Sequence, residues 1–536
     1  MFWSKNEAVP PRPAFSEAAS LPQLTSQYMS QAYPDYLQLV QAQVFFRHGE
    51  RSPVAARLTD RQPWAFCHRG NYLHAEFMKA INQFVPLHED LPVPNPGRIG
   101  GSNAKYTRKT ATLKSGVEYE PAKWNVRLGS EGPPPPRAPA AWSPATCEMG
   151  QLTDIGLDSL YRTGAYLRAL YADKLRLVPR DAPAARHALY VRTTDYSRVI
   201  QSTHALLAGL FPTRDASWPA FNSEFLQKFA IHTRLHQDET MHGNFGCYNF
   251  IRQFLDISMP DARKDKWIDD VYRQTVQLAS IGDSVRQVTD RPMFGSNFHF
   301  VYDELIALAA HGLPLPSDVT RAHLDSLGRV AHHQWMHPVH PLAGQRLGFG
   351  RLLNDVVQTM VQAAELQADA SVPRMGAQTA GNLLLAPGGV RAPTADEAPA
   401  VPRLALYGCH DVTIGPLALA MGHMDPDWLP YASMLTFELF RDHATPPPQP
   451  AQRDLPRPPT VAAPLDTAGR YVRVRLNDKV LELPTCQAHG KHHTRMGPSL
   501  CTLDAFLEHV APIIGTEADY TEECGAMPTT LDIDKK

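Results

Sequence analysis

The stretch LVQAQVFFRHGERSP, Leu39–Pro53, changes from apolar to charged residues at Arg47. Its apolar part carries glutamine at two alternating positions, a pattern that predicts a β-strand over Leu39–Phe46. Arg47, His48 and Arg51 follow at or just beyond the end of that strand. Because open α/β sheets bind ligands beyond the carboxyl ends of their strands, this junction is the first candidate for a functional site.

Two other predicted strands end in the same kinds of residue. Ala188–Arg192 (ALYVR) runs into a segment that contains Arg198, and Arg403–Gly408 (RLALYG) runs into His410 and Asp411. If these strands are neighbours, their ends bring arginine, histidine and aspartate side chains together. A cluster of guanidinium groups suits a tetrahedral phosphate, since each can make paired, charge-assisted hydrogen bonds to two oxygens.

The segments that follow the strands have helical periodicity. The predicted helices are Gln151–Tyr171 with Thr153 as N-cap, Asp195–Leu210 with Asp195 as its cap, and Val412–Met421. Two alternating runs in Tyr471–Leu483, around Asn477-Asp478, predict a β-hairpin. The alternation of strands and helices predicts a layered α/β sheet.

The core is predicted to be discontinuous. Residues 36–216 and 382–524 carry the strand–helix alternation, whereas 217–381 is polar, aromatic and helical. That middle range predicts a mainly helical cap inserted into the core, and a cap that closes over a site supplies substrate contacts. Three proline-rich loops (129–144, 387–402 and 444–464) and the two termini (1–35 and 525–536) lack apolar periodicity and are predicted to be loose.

The composition narrows the class of partner. The 536 residues include 52 basic and 54 acidic side chains, and this near balance argues against a nucleic-acid binder. No run approaches the ~18 apolar residues of a membrane span. The N-terminal sequence has no apolar region typical of a secretory signal, which predicts an intracellular protein, cytoplasmic or mitochondrial.

The seven cysteines contain no C-x-x-C pair, so neither a zinc ribbon nor a thioredoxin-type site is indicated. Cys486 and Cys501 bracket a short, histidine-rich loop and could form a local disulfide. The alternative is that the cysteines are free thiols in a reducing compartment.

The string RHGxRxP at a strand end resembles the signature of the histidine phosphatase superfamily, in its histidine acid phosphatase branch. Four other segments extend the resemblance in the family's order: Gly150–Arg168, Tyr190–Pro212, Leu406–Leu417 and, near the C-terminus, LCTLDAF (Leu500–Phe506). Within the branch, STHALLAGLF and His410–Phe440 are similar to the lysophosphatidic acid phosphatases. The resemblance implies a phosphoglycerate-mutase-like α/β core with an inserted cap.

The resemblance also implies roles for six residues. His48 matches the nucleophile that forms a phosphohistidine, and Asp411 matches the proton donor that later activates water. Arg47, Arg51 and Arg198 match the arginines that hold the phosphoryl group, and His410 matches a further phosphate ligand. The family chemistry needs no cofactor and no metal, so none is expected here.

Other charged residues have less specific interpretations. Arg192 is expected to pair with Asp195 rather than to contact phosphate, and Glu50 is expected to be a neighbour of the site. The histidines of AHHQWMHPVHP (331–341) and HGKHH (489–493) lack a settled metal-site spacing and are interpreted as loop residues.

Three functions remain open from the sequence. The first is an acid phosphatase acting on a small phosphate monoester, with lysophosphatidate or a related lysophospholipid as candidate substrate. The second is a phytase-like inositol polyphosphate phosphatase, which is less favoured because the chain has few cysteines and no recognisable secretory signal. The third is a catalytically inactive phosphate-binding module, ranked last because every matched catalytic position is intact.

Overall fold

The computed structural model describes residues 21–54, 64–71 without 70, 146–212 without 186, 230–251 without 236–237 and 244–246, 298–366 without 318, 401–443 without 424 and 426, 461, and 467–525. All of them belong to one compact unit, formed by residues 1–76 and 144–536. A second unit, 77–143, lies outside the described residues, as do the predicted loop 129–144 and nearly all of the predicted loops 387–402 and 444–464.

The described strands form one mixed sheet. They are β1 (Leu37–Arg47), β2 (Leu189–Thr193), β3 (Leu404–Cys409), β4 (Met434–Asp442), β5 (Arg470–Leu476), β6 (Lys479–Leu481), β7 (His492–His493) and β8 (Gly497–Thr502). Their order is β2-β3-β1-β4-β5-β8-β7, with β6 paired to β5. β2, β3 and β1 run parallel, whereas β4 pairs antiparallel with β1.

The register brings the ends of the three parallel strands together. Arg47 pairs with Cys409, and Thr193 pairs with Gly408. The carboxyl ends of three adjacent strands therefore meet at one edge of the sheet, as the sequence predicts. The predicted hairpin is also confirmed, because β5 and β6 are antiparallel and Asn477 takes the left-handed conformation between them.

The helices in the described residues are α1 (Ser26–Ala32), α2 (Asp154–Leu167), α3 (Ala182–Ala185), α4 (Ser197–Leu210), α5 (Phe298–Ala310), α6 (Arg321–Met336), α7 (Leu342–Gln345), α8 (Arg351–Leu366), α9 (Asp411–Ala420), α10 (Leu503–Ile514) and α11 (Glu517–Cys524). Wider π-type turns, Arg168–Lys174 and Arg346–Gly350, continue α2 and precede α8. Short 3₁₀ segments lie at His337–Val339 and Pro484–Gln487.

Each face of the sheet is covered by its own helices. One apolar cluster joins alternate β1 residues such as Val44 and Phe46 to α2 and α4. The other joins Phe45 to α8, α9 and α10. Successive β1 side chains therefore point to opposite faces of the sheet, and helices cover both faces. This is why the strand is apolar almost throughout and is buried from Val40 to its end.

Helix α8 is part of the core, although the sequence analysis placed its residues in the cap range 217–381. Its apolar face packs in the same cluster as the sheet and α10. Its backbone also accepts hydrogen bonds from two buried strand residues, since Gln43 Nε2 donates to Val356 O at 2.9 Å and Gln41 Nε2 donates to Thr359 O at 3.2 Å. The two glutamines therefore bind a helix of the core, and a separate helical cap stays a prediction for the rest of that range.

The predicted helix starts have mixed outcomes. Thr153 caps α2 as expected, with its hydroxyl accepting from the Gly156 N–H. The prediction that Asp195 caps α4 is wrong, because the N-cap is Tyr196 and no side chain caps that helix end.

Six of the seven cysteines are paired, as Cys67–Cys147, Cys247–Cys524 and Cys486–Cys501, and Cys409 is a buried free thiol. Of the two alternatives for Cys486 and Cys501, the structure has the local disulfide. Such pairing is typical of oxidising compartments, and the intracellular location stays a prediction. Among the described residues, no helix combines the length and apolarity that a membrane crossing requires.

Candidate active site

The six residues singled out from the sequence lie at the common edge of β1, β2 and β3. Backbone hydrogen bonds fix the loops there: His48 N–H donates to Cys409 O at 3.1 Å, and Thr194 N–H donates to Gly408 O at 3.1 Å. The side chains of Arg47, His48, Arg51 and His410 are all buried. The site is therefore built on the rigid end of the sheet, with short loops carrying the chemistry.

Gly49 is required by close packing. A Cβ at this position would lie 2.3 Å from the carbonyl oxygen of Gly156 on α2, and a Cβ on Gly156 would lie 2.2 Å from Glu50 O. The two glycines let α2 approach the loop that carries His48, so the loop is held against the helix start. Any larger residue at either position must displace that loop.

His48 has a defined tautomer. Its Nδ1 lies 2.9 Å from the carbonyl oxygen of Gly49, and since a carbonyl only accepts, Nδ1 carries the proton and Nε2 has the free lone pair. Burial lowers the pKa of His48 well below its ordinary value, and the charges of Arg198 and Arg51 lower it further. The ring is therefore neutral even in acid solution and presents a free Nε2 lone pair, as a nucleophilic histidine requires.

Arg47 and Asp411 form an ion pair, with Nη2 2.5 Å from Oδ2. Asp411 is the first residue of α9, and its two oxygens also accept hydrogen bonds from the Val412 N–H at 2.8 Å and from the Trp428 indole at 3.1 Å. The Arg47 guanidinium additionally lies 4.3 Å from the centre of the Tyr431 ring. The proposed proton donor and one of the proposed phosphate ligands are thus in direct contact.

Arg51 is held by a carboxylate that sequence analysis did not identify. Asp303, on α5, accepts from Arg51 Nη2 at 2.6 Å and from Nη1 at 3.1 Å, and its Oδ2 also accepts from the Val54 N–H at 2.9 Å. Burial alone would lower the pKa of Arg51, but the charge and hydrogen bonds of Asp303, together with Tyr431 and Asp411, outweigh it and the pKa is raised. Arg51 is therefore fixed and fully charged.

Arg198 is the uncompensated charge of the group. It makes no ion pair within the described part of the chain and packs its guanidinium 4.7 Å from the centre of the Tyr196 ring. Burial and the neighbouring Arg51 charge lower the pKa of Arg198 to about 10. A buried cation beside a second cation is a binding site for an anion.

The Nε–H groups of the three arginines point to the same conclusion. The Nε atoms of Arg47, Arg51 and Arg198 are buried, and none has a hydrogen-bond partner among the described residues. Leaving such a group unpaired is costly, so three of them at one site favour a ligand rich in acceptor oxygens.

His410 lies next to the nucleophile and belongs to a group of rings. Its centre is 5.4 Å from that of His48, 4.2 Å from that of His242 and 5.2 Å from that of Tyr196. Its Nε2 is 2.9 Å from Thr194 Oγ1. Burial lowers the pKa of His410 well below its ordinary value, and His242 adds to the effect. His410 is therefore a neutral hydrogen-bonding group at the site.

The structure pairs Arg192 with carboxylates other than the one that the sequence analysis expected. Its Nη2 is 2.6 Å from Glu239 and its Nη1 is 3.5 Å from Asp355, so the predicted pair with Asp195 is wrong. Glu50 is buried beside the site, as expected of a neighbour. Among the described residues, no three histidine, cysteine or carboxylate side chains form a group that could hold a metal.

A cavity of about 280 Å³ adjoins Arg47 and Glu50. Apolar side chains of α5 and α6 and the aromatic rings of Trp428 and Tyr431 line it. Its other charged residues form two exposed ion pairs at 3.0 Å, Arg321–Asp325 and Arg329–Asp427. The cavity is next to Asp411, because Trp428 both lines it and donates to that carboxylate.

Three residues of the site were missed from the sequence: Asp303, His242 and Trp428. Only Asp303 left a signal in the sequence, because it is an acidic residue in the otherwise largely apolar run FHFVYDELIALAA. His311 follows eight positions later, just beyond the end of the helix. His242 and Trp428 lie in irregular segments, where periodicity carries no information.

The comparisons with known proteins agree with this geometry. The family model described as "Histidine phosphatase superfamily (branch 2)" matches residues 38–279. A protein of Schizosaccharomyces pombe named as a probable acid phosphatase is 25% identical over 419 residues, covering 76% of this chain and 74% of its own. Lysophosphatidic acid phosphatase type 6 of Pongo abelii is 25% identical over 363 residues, covering 63% of this chain and 71% of its own.

A solved structure shares the fold. The phytase of Hafnia alvei in complex with myo-inositol hexakis sulphate aligns with a TM-score of 0.50 and 13% identity, over 92% of this chain and 100% of that one. At that identity the likeness concerns the α/β fold alone.

Proposed function

We propose that the chain is a phosphoric monoester hydrolase of the histidine phosphatase superfamily, branch 2, and that it works through a phosphohistidine on His48. The observation that carries the proposal is the neutral His48 ring with a free Nε2, beside three buried arginines whose Nε–H groups lack protein partners. A neutral imidazole next to an anion site is arranged for attack on phosphorus.

In the first step, His48 Nε2 forms a bond to phosphorus and the bond from phosphorus to the leaving oxygen breaks. Protonated Asp411 gives its proton to that oxygen, so an alcohol leaves. Arg47, Arg51 and Arg198 stabilise the charge on the phosphoryl oxygens, and a ring N–H of His410 donates a hydrogen bond to the same group.

In the second step, water attacks the phosphohistidine. The Asp411 carboxylate takes a proton from the water, the nitrogen–phosphorus bond breaks, and phosphate is released with His48 neutral again. The contact between Arg47 and Asp411 in the free protein gives both residues a partner until substrate arrives. Phosphate can then take over Arg47 and free the carboxyl for proton transfer.

For the substrate, we propose a monoester of a partly apolar alcohol, with lysophosphatidate or a related lysophospholipid as candidate. Two observations support this. The relative from Pongo abelii carries that activity in its name, and about half of the lining of the cavity beside Asp411 is apolar, with aromatic side chains such as Trp428 and Tyr431. Its two further arginines already have carboxylate partners, which disfavours the many phosphates of an inositol polyphosphate.

The test is turnover of p-nitrophenyl phosphate, lysophosphatidate and phytate by wild type and His48→Ala. We expect no turnover by the variant, an unchanged melting temperature, and a phosphoenzyme in the wild type only. The label should be trapped at alkaline pH, because the nitrogen–phosphorus bond is labile in acid. Phosphate label in His48→Ala would contradict the nucleophile, and phytate turned over faster than lysophosphatidate would contradict the substrate.

A further inference from the structure

We propose that Asp303 is a positioning residue that orients Arg51 toward the phosphoryl group and limits how tightly the site holds phosphate. The inference rests on the proposed phosphate site and goes beyond it, because Asp303 touches Arg51 and the backbone of the next loop rather than the reacting atoms.

Asp303 occupies one edge of the Arg51 guanidinium and leaves another edge open. Asp303 accepts from Nη1 and Nη2, which is the end-on edge of Arg51. The side edge, formed by Nε and the second hydrogen of Nη2, faces elsewhere, and Nε is buried without a partner among the described residues. Asp303 therefore leaves the side edge of Arg51 for paired hydrogen bonds to a tetrahedral anion.

Asp303 also binds the loop that follows Arg51. Its Oδ2 also accepts from the Val54 N–H at 2.9 Å, so one carboxylate holds both the Arg51 side chain and the loop after it. At the other end of α5, His311 Nε2 lies 2.8 Å from Thr153 Oγ1, and that hydroxyl is 3.0 Å from Glu50 O. Helix α5 is thus fixed at two points to the segment that carries the nucleophile.

Asp303 also brings a negative charge next to the proposed phosphate ligand Arg51. Its side chain is 12% exposed and that of Arg51 is 8% exposed, so the pair is shielded from water. A carboxylate bound to the same guanidinium as a phosphate dianion repels that dianion strongly in such surroundings. Asp303 therefore keeps Arg51 in place while offsetting its attraction for phosphate, which favours release of the product.

The experiment compares Asp303→Asn with wild type, measuring kcat and KM for p-nitrophenyl phosphate and the inhibition constant for inorganic phosphate. We expect kcat to fall at least tenfold, because Arg51 loses its fixed orientation. We expect the inhibition constant to fall by about tenfold, because the repelling charge is gone. A purely structural role would lower the active fraction and leave KM and the inhibition constant unchanged.

Three variants serve as controls. Asp303→Glu keeps the charge and should return the inhibition constant to near the wild-type value. Asp158→Asn removes a carboxylate from the surface pair with Arg162 and should change neither constant. Asp303→Ser removes the charge as well, and it replaces Asp303→Asn if that variant does not fold.

The outcomes separate this inference from the proposed function. Phosphate that inhibits wild type normally but is held no more tightly by either neutral variant, or an unchanged kcat, would overturn the role of Asp303 alone. Phosphate that fails to inhibit wild type, with Arg198→Ala fully active, would overturn the proposed phosphate site itself.

Discussion

Replacing Arg198 with methionine should abolish most of the activity and stabilise the free protein at the same time. The two effects have one cause, which is that Arg198 is a largely buried cation with no ion-pair partner among the described residues. Its positive charge is useful only when an anion is bound. Methionine keeps an unbranched apolar stem like that of arginine and removes the charge.

The magnitude follows from the pKa of Arg198, which is lowered from its ordinary value to about 10. At ~1.4 kcal/mol for each pKa unit, the folded protein carries a penalty of at most about 3 kcal/mol at every pH below the lowered value, where the group is charged in both states. The contact with the Tyr196 ring returns ~0.5–1 kcal/mol, and partial exposure reduces the penalty further. We therefore expect the variant to gain about 1–2 kcal/mol in free energy of unfolding.

The loss of activity should be large. Removing one group that stabilises charge in the transition state costs ~2–4 kcal/mol, or roughly 30- to 1000-fold in kcat/KM. Stabilisation of the protein by added inorganic phosphate should shrink in parallel, since the variant binds phosphate more weakly.

The assay is urea unfolding with and without phosphate, together with kcat/KM for p-nitrophenyl phosphate. Arg162→Met is the matched control, because Arg162 is an exposed arginine paired with Asp158 on α2 and its loss should change stability by less than ~0.5 kcal/mol. A variant Arg198→Met that is less stable than wild type, or that keeps its activity, would refute the reasoning.

Three further predictions concern the general acid, metals and pH. Asp411→Asn should slow turnover of an alkyl monoester such as glycerol phosphate far more than p-nitrophenyl phosphate, whose leaving group needs little protonation; an equal loss in single-turnover measurements would assign the proton to another group. Activity should survive EDTA, and a loss that a divalent ion restores would contradict this. Burial lowers the pKa of His311 to about 4, so the unfolded chain binds the proton more readily and stability should fall by roughly 3 kcal/mol as pH drops from 6.5 to 4. His311→Gln should flatten that decline in thermal unfolding, and an unchanged pH profile would contradict it.

The catalytic edge could be predicted from the sequence because its signals are local. Each parallel strand is an apolar run that ends in residues such as Arg47 or His410, and strands of this kind bind ligands at their carboxyl ends. The register that brings Arg47 beside Cys409 then follows from the parallel pairing. The sequence pattern therefore predicted the positions of residues such as Arg47 and His410, which lie at or just after strand ends.

Residues that depend on contacts distant in sequence could not be predicted. Asp303 meets Arg51 across 252 positions, and the disulfide Cys247–Cys524 spans 277. Asp195 is adjacent to the start of α4 and looked like its cap, but the backbone begins the helix one residue later. The periodicity of the α8 residues predicted a helix correctly but placed it in the cap, because an apolar helix face does not show which surface it will pack against.

The charge balance of the site explains why one carboxylate of the free protein must change state during the reaction. Arg47 is paired with Asp411 and Arg51 with Asp303, so only Arg198 contributes an unbalanced positive charge among these groups. A phosphate dianion brings two negative charges to this site. A proton on Asp411 removes one negative charge and frees Arg47 for the phosphoryl oxygens, and the same proton is the one that the leaving oxygen needs. In the proposed mechanism, substrate binding and preparation of Asp411 as the general acid are therefore one electrostatic event.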